Sequence, residues 1–116
     1  MDKNYYPIEF DEQSRFVIKN NGTAPTPCVV TFIPKVDFIK LIIKGLSEEP
    51  IEVSQVKAND NLVIDGENRK VLLNDKNFLD HYDGWEFPKL QPGENVIEIN
   101  NGSLAEVAIE YNARYI

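Results

Sequence analysis

Ala105-Glu106-Val107-Ala108-Ile109-Glu110-Tyr111-Asn112 is the clearest strand in the chain. Ala105, Val107, Ile109 and Tyr111 alternate with Glu106, Ala108, Glu110 and Asn112. A period of two places the first set on one face and the second on the other, as in a strand half-buried against a core. Just upstream, Val96–Asn100 reads as a further strand, and Asn101-Gly102 follows it. That dipeptide suits a type I′ turn, in which both central residues need φ > 0.

Outward from this stretch the same grammar repeats. Gln13–Lys19 reads as a strand and Asn20-Asn21-Gly22-Thr23 as a turn. Pro25, Pro27 and Pro34 bracket Cys28–Ile33. Prolines inside a helix cost about 3 kcal/mol each but are tolerated at strand ends, so this segment is expected as a short strand near a sheet edge. Asp37–Lys44 is a strand whose alternation is imperfect, which suggests that parts of both faces are covered. In Ile51–Val56, Ile51 and Val53 point one way and Glu52 and Ser54 the other. Asn61–Asp65 and Arg69–Leu73 flank Gly66-Glu67-Asn68, a hairpin pattern. Asp75–Asp83 lacks β character and fits a short helical turn around Phe78–His81. No 12-residue stretch carries a helical apolar stripe, and no βαβ alternation occurs. The chain is therefore expected to be all-β, an antiparallel β-sandwich or barrel. Its expected core is Val29, Phe32, Leu41, Ile43, Val63, Leu72, Ile97, Val107 and Ile109.

The bulk numbers suit one domain over residues 1–116, with residues 1–12 as an N-terminal arm or first strand. A chain of this length buries roughly 65% of the surface its unfolded form exposes, so it needs neither disulfides nor metal to fold. Twelve basic against 19 acidic residues give a net charge of −7. That argues against nucleic acid, which demands a basic face, and against an anionic membrane. No window approaches the ~20 apolar residues of a membrane helix. The N-terminus MDKNYYPIEF has no apolar core of a signal peptide, so synthesis in a bacterial cytoplasm without export by that route is expected.

Catalytic chemistry has few candidates. His81 is the only histidine, and Ser47, Ser54 and Ser103 lack a nucleophile-elbow context. Cys28, the only cysteine, lies beside Pro27 and Val29-Val30 and reads as a small buried hydrophobe. Asp75, Asn77, Asp80 and Asp83 invite a calcium reading, but the EF-hand glycine position holds Asp80. Asn21-Gly22-Thr23 and Asn101-Gly102-Ser103 match the glycosylation sequon and are turn residues first. No catalytic residue, metal site or cofactor is assigned, and the chain is expected not to be an enzyme. One aromatic cluster remains. His81, Tyr82, Asp83 and Trp85 are the candidate ligand-binding residues, because flat rings beside carboxylates are what sugar recognition uses. The packing alternative has Trp85 and Phe87 closing one end of the sandwich.

The order of features from Asn20 to Ile116 resembles the C-terminal domain of siphophage distal tail proteins. The resemblance rests on Asn20-Asn21-Gly22-Thr23, then Leu62-Val63-Ile64-Asp65-Gly66 with Arg69-Lys70-Val71. It continues in Phe87-Pro88-Lys89-Leu90-Gln91-Pro92-Gly93-Glu94-Asn95, and ends in Tyr111 with Arg114-Tyr115. It implies a jelly-roll or galectin-like sandwich acting as a structural module of a phage or prophage tail. Its partners would be other tail and baseplate proteins, and its place the virion tail once assembled. The family's full-length proteins add an N-terminal ring-building domain, which these residues do not include. The alternative function is a carbohydrate-binding module that recognises host cell-wall saccharide through Tyr82 and Trp85.

Overall fold

Residues 3–84 and 86–115 are described in a computed structural model, with side chains from Pro7 onward. In chain order the strands are β1 (Lys3–Pro7), β2 (Arg15–Asn20), β3 (Thr26–Pro34), β4 (Phe38–Lys44), β5 (Ile51–Val56) and β6 (Leu62–Asp65). They continue as β7 (Lys70–Leu73), β8 (Lys76–Asn77), β9 (Tyr82–Asp83), β10 (Lys89–Leu90), β11 (Gly93–Ile99) and β12 (Ala105–Asn112). Two short 3₁₀ turns, Leu79–His81 and Gly102–Leu104, interrupt the β structure.

Among the described residues the strands form two antiparallel sheets. The larger runs β1-β12-β3-β6-β7-β8, with β10 added to β3, and the smaller runs β2-β11-β4-β5-β9. First and last strands nest: β12 lies beside β1 in one sheet, and β11 beside β2 in the other. With β3 and β6 following in one sheet and β4 and β5 in the other, this is the interleaved order of a jelly roll.

The alternating strands explain the layering. In β12, Val107, Ile109 and Tyr111 face inward; in β2, Phe16, Ile18 and Asn20 do; in β11, Asn95, Ile97 and Ile99 do. These faces meet in one apolar cluster that spans both sheets. Phe32 of the larger sheet meets Phe38 of the smaller edge-to-face, with centroids 5.1 Å apart and planes at 89°. That arrangement sets a ring's positive edge against its neighbour's negative face.

Five expectations need correction. Cys28–Ile33 belongs to a nine-residue central strand, not an edge: β3 pairs with β12 on one side and with β6 and β10 on the other. Its prolines are tolerated because Pro27 and Pro34 lie at its ends. The core register also shifts by one in β6 and β7, and in β3 the core takes in Phe32, as expected, but not Val29. Cys28, Val30, Phe32, Leu62, Ile64 and Val71 are buried, while Val29, Val63 and Leu72 are half-buried on the outer face.

The imperfect alternation of β4 comes from a break in the pleat, not from double coverage. Gln55 of β5 holds a left-handed backbone (φ 62), and Ile39 of β4 stands 86% exposed. Phe38 and Leu41 therefore both point inward three residues apart, and so do Val53 and Val56 across from them. Finally, Asn101-Gly102 is not a type I′ hairpin. Asn101 is left-handed (φ 53, ψ 34), but Gly102 opens a 3₁₀ turn, and the flanking β11 and β12 lie in different sheets. A two-residue turn cannot span that gap. The hairpin across Gly66-Glu67-Asn68 does form, pairing Asp65 with Lys70. The helical turn expected near Phe78–His81 is present as 3₁₀, although Lys76–Asn77 and Tyr82–Asp83 on either side add short strands.

Candidate functional site

One end of the sandwich gathers the turn motifs. Asn20, at the end of β2, is buried, and its side chain ties three segments together. Its Oδ1 accepts from Gly22 N (2.9 Å), while Nδ2 donates to the carbonyls of Ala24 (3.3 Å) and Leu90 (3.3 Å). The turn brings Thr23 N and Ala24 N onto the Arg114 carbonyl at 2.8 and 3.2 Å, which anchors the C-terminal segment. Gly22 permits this approach: a Cβ there would lie 2.4 Å from Arg114 O. Asn95 closes the Pro92-Gly93 turn in the same manner, accepting from Gln91 N (2.9 Å) and donating to Gln91 O (2.9 Å) and Gly93 O (3.1 Å).

The β6–β7 turn comes to the same end. Asp65 Oδ1 accepts from Glu67 N (2.9 Å) and Asn68 N (3.0 Å), which sets the turn's shape. Gly66 N donates to Cys28 O (2.9 Å), and Cys28 N donates to Pro88 O (3.1 Å). A Cβ at Gly66 would lie 2.4 Å from Pro88 O, so glycine is what lets the turn sit against the strand leading to β10.

Between these segments lies an open groove of about 510 Å³. Pro25, Pro27, Phe87 and Pro88 supply its apolar surface. Arg69, Arg114 and Lys89 supply cations, and Glu67 and Glu86 supply carboxylates. Lys89 Nζ meets Glu86 Oε2 at 2.8 Å, and Glu67 Oε1 accepts from Asn112 Nδ2 at 3.4 Å. The exposed guanidinium groups of Arg69 and Arg114 have no ion pair or hydrogen bond among the described residues.

His81, Tyr82 and Asp83 are not among the residues that line this groove. His81 is half-buried and stacks on Phe78, with centroids 4.2 Å apart. Tyr82 stacks on Phe87 at 5.1 Å with planes at 11°, and its hydroxyl donates to the Glu86 carbonyl at 2.6 Å. Burial above all pushes the Tyr82 phenol above its ordinary range, and the negative charge of the Glu86 carboxylate adds to it. Asp83 is exposed in β9, opposite Glu52. Trp85 lies outside the described residues. Phe87 is half-buried against the core at this end.

The aromatic pattern thus leads to one wall of the groove through Glu86 and Phe87, and misses Glu67, Arg69 and Arg114. Arg69 and Arg114 stand in the motifs quoted above, but no local signal shows that they meet Glu67, because only the strand order brings the three together. Cys28 is fully buried under the groove, and burial raises its thiol to about 12. Among the described residues, no group of three His, Cys, Asp or Glu side chains is placed to hold a metal ion.

Residues 21–115 match the family model described as the siphovirus-type tail component, C-terminal domain. The chain belongs to this family. Its fold is similar to the crystal structure of SPP1 Dit (gp 19.1), described as a paradigm of hub adsorption apparatus in Gram-positive infecting phages. The TM-score is 0.77 at 8% identity, over 97% of this chain and 46% of that one. The chain thus spans about half the length of that protein, and at this identity the likeness is one of fold. No curated protein matches the chain. All four motifs read in the sequence fall within the matched stretch of this tail-component domain or at its threshold, and the structure uses them to build one end of the sandwich.

Proposed function

We propose that this tail-component domain is a non-enzymatic docking module that joins other virion proteins in an assembled phage or prophage tail. Family membership over residues 21–115 carries the reading. The build of the domain supports it. Edge strands β8 and β9 are two residues long, as in sheets that avoid edge pairing, whereas β2 is a six-residue edge. Beside that edge, Val17 and Val96 lie in register, each 56% exposed, between the charged pairs Arg15–Glu98 and Lys19–Glu94. An apolar centre with a charged rim is the anatomy of a protein contact.

The test is immunogold labelling of tail particles from the strain that encodes the chain. Label at the distal end of the tail is expected. Particles that stay unlabelled while the protein accumulates free in the lysate would overturn the reading.

A second reading, recognition of cell-wall saccharide through Tyr82 and Trp85, draws support from the position of Tyr82 behind Phe87 on the groove wall. Trp85 is the only tryptophan, so its fluorescence reports that loop during titration with neutral wall saccharides. A saturable change lost in Tyr82→Ala favours this reading, and a flat response removes it.

A further inference from the structure

We propose that the groove between the β6–β7 turn and the C-terminal segment binds an acidic saccharide, a sugar ring that carries a carboxylate or a phosphate. The site does not require tail docking, and its lining does not include Tyr82. Its volume, about 510 Å³, lies within the range of small-ligand clefts.

The charges point to an anion that also bears hydroxyls. Three cations (Arg69, Lys89, Arg114) less two carboxylates (Glu67, Glu86) leave +1 in the groove, on a chain whose net charge is −7. Two of those cations are guanidiniums free to form bidentate bonds to a carboxylate or phosphate. The carboxylates repel a polyanion but accept hydrogen bonds from neutral hydroxyls, so the pairing selects one anionic group set among alcohols. Phe87 and the faces of Pro25, Pro27 and Pro88 offer the apolar surface on which a sugar's C–H face rests.

An extended peptide fits less well. Prolines have no N–H to offer, and the neighbouring main chain is spent: Cys28 N bonds Pro88 O, and Gly66 N bonds Cys28 O. Among the described residues, no open ladder edge lines the groove for a peptide to join.

The backbone of Arg69 adds an independent observation. It is left-handed (φ 54) at the last position of the β6–β7 turn, where glycine or asparagine costs least. Arginine there adds strain to the turn while bringing a guanidinium to the groove. A residue kept for the turn alone would be replaced by asparagine with a gain in stability; one kept for a ligand would cost binding when replaced.

Amide NMR spectra of the whole chain, titrated separately with glucuronate, glucose 6-phosphate, glucose, inorganic phosphate and tri-glutamate, test the proposal. Saturable shifts at Gly66, Glu67, Arg69 and Arg114 with glucuronate or glucose 6-phosphate are expected, and the stronger of the two names the anion. Glucose and inorganic phosphate should bind roughly tenfold or more weakly, since each lacks half of the recognition. Arg69→Asn should keep or raise the melting temperature while weakening the acidic sugar by about tenfold, and Arg114→Gln should weaken it similarly. Equal response to bare phosphate or to glucose, preference for tri-glutamate, no shift with either acidic sugar, or unchanged binding in folded Arg69→Asn would each overturn it.

Discussion

The hydroxyl of Tyr111 donates to the carbonyl of Lys19 at 3.0 Å. Tyr111 lies on β12 of the larger sheet and Lys19 on β2 of the smaller, so this bond crosses the sandwich. The ring is fully buried, and its polar tip reaches the opposite sheet beside the Asn20 turn. A buried phenol needs such a partner, and here the need links the two layers at the end that carries the groove.

Tyr111→Phe keeps the ring and removes the bond. It should destabilise the fold by about 1 kcal/mol, measured by urea unfolding. An unchanged midpoint would mean that the inter-sheet bond contributes nothing net.

Ile64 and Val63 are neighbours on β6 that face opposite ways: Ile64 is 0% exposed and Val63 half-buried. Ile64→Ala should cost about 2–5 kcal/mol, the range for an aliphatic side chain removed from a packed core. Val63→Ala should cost less than about 1.5 kcal/mol, because its outer face is only partly covered. Equal costs would contradict the register of the β6–β7 hairpin.

Gly66→Ala should be costly for a different reason. Its Cβ would meet backbone on two sides, Pro88 O at 2.4 Å and Cys28 O at 2.6 Å, and neither can rotate away. Roughly 2 kcal/mol or more is expected, together with amide shifts at Cys28 and Lys89 as the turn lifts from the strand. A variant as stable as the parent, with those amides unmoved, would show that the close approach is not required.

Cys28 should be silent to thiol reagents in the native protein at pH 8 and react fully once unfolded. Its thiol rises from 9.0 to about 12 by burial, reinforced by Glu67, so the thiolate that reacts is absent. The folded pKa lies above the unfolded one. The neutral thiol's contribution is therefore complete below pH 9 and is lost as pH rises from 9 toward 12. Rapid native labelling at pH 8 would show that the strand around Cys28 opens locally.

The motifs behave unevenly under this reading. Gly22 looks in the sequence like a turn residue and is one, whereas Asn20, Asp65 and Asn95 lie in β2, β6 and β11 and shape the adjoining turns by accepting from their backbone N–H groups. Their side chains also stitch together segments far apart in the chain, as Asn20 does with Leu90. The aromatic cluster was visible because its members lie within seven residues, yet its most regular feature, the Tyr82–Phe87 stack, turns those rings toward each other.

The sequence by itself determined that this is an all-β chain, and it located most strands. Alternation is local, and in β12 and over the first four residues of β5 an apolar face opposes a more polar one, so a single strand reports its own orientation. It also carried the turn motifs that mark the family. Only the tertiary structure decided which face of β3 is inward, since Cys28 to Ile33 is apolar on both faces apart from Thr31 and offers no contrast to read. It alone made β3 central, sent β11 and β12 to different sheets, and brought Arg69 within one groove of Arg114. Those outcomes depend on pairing between strands far apart in the chain, and the free energy of such pairing resides in contacts that no local window of sequence contains.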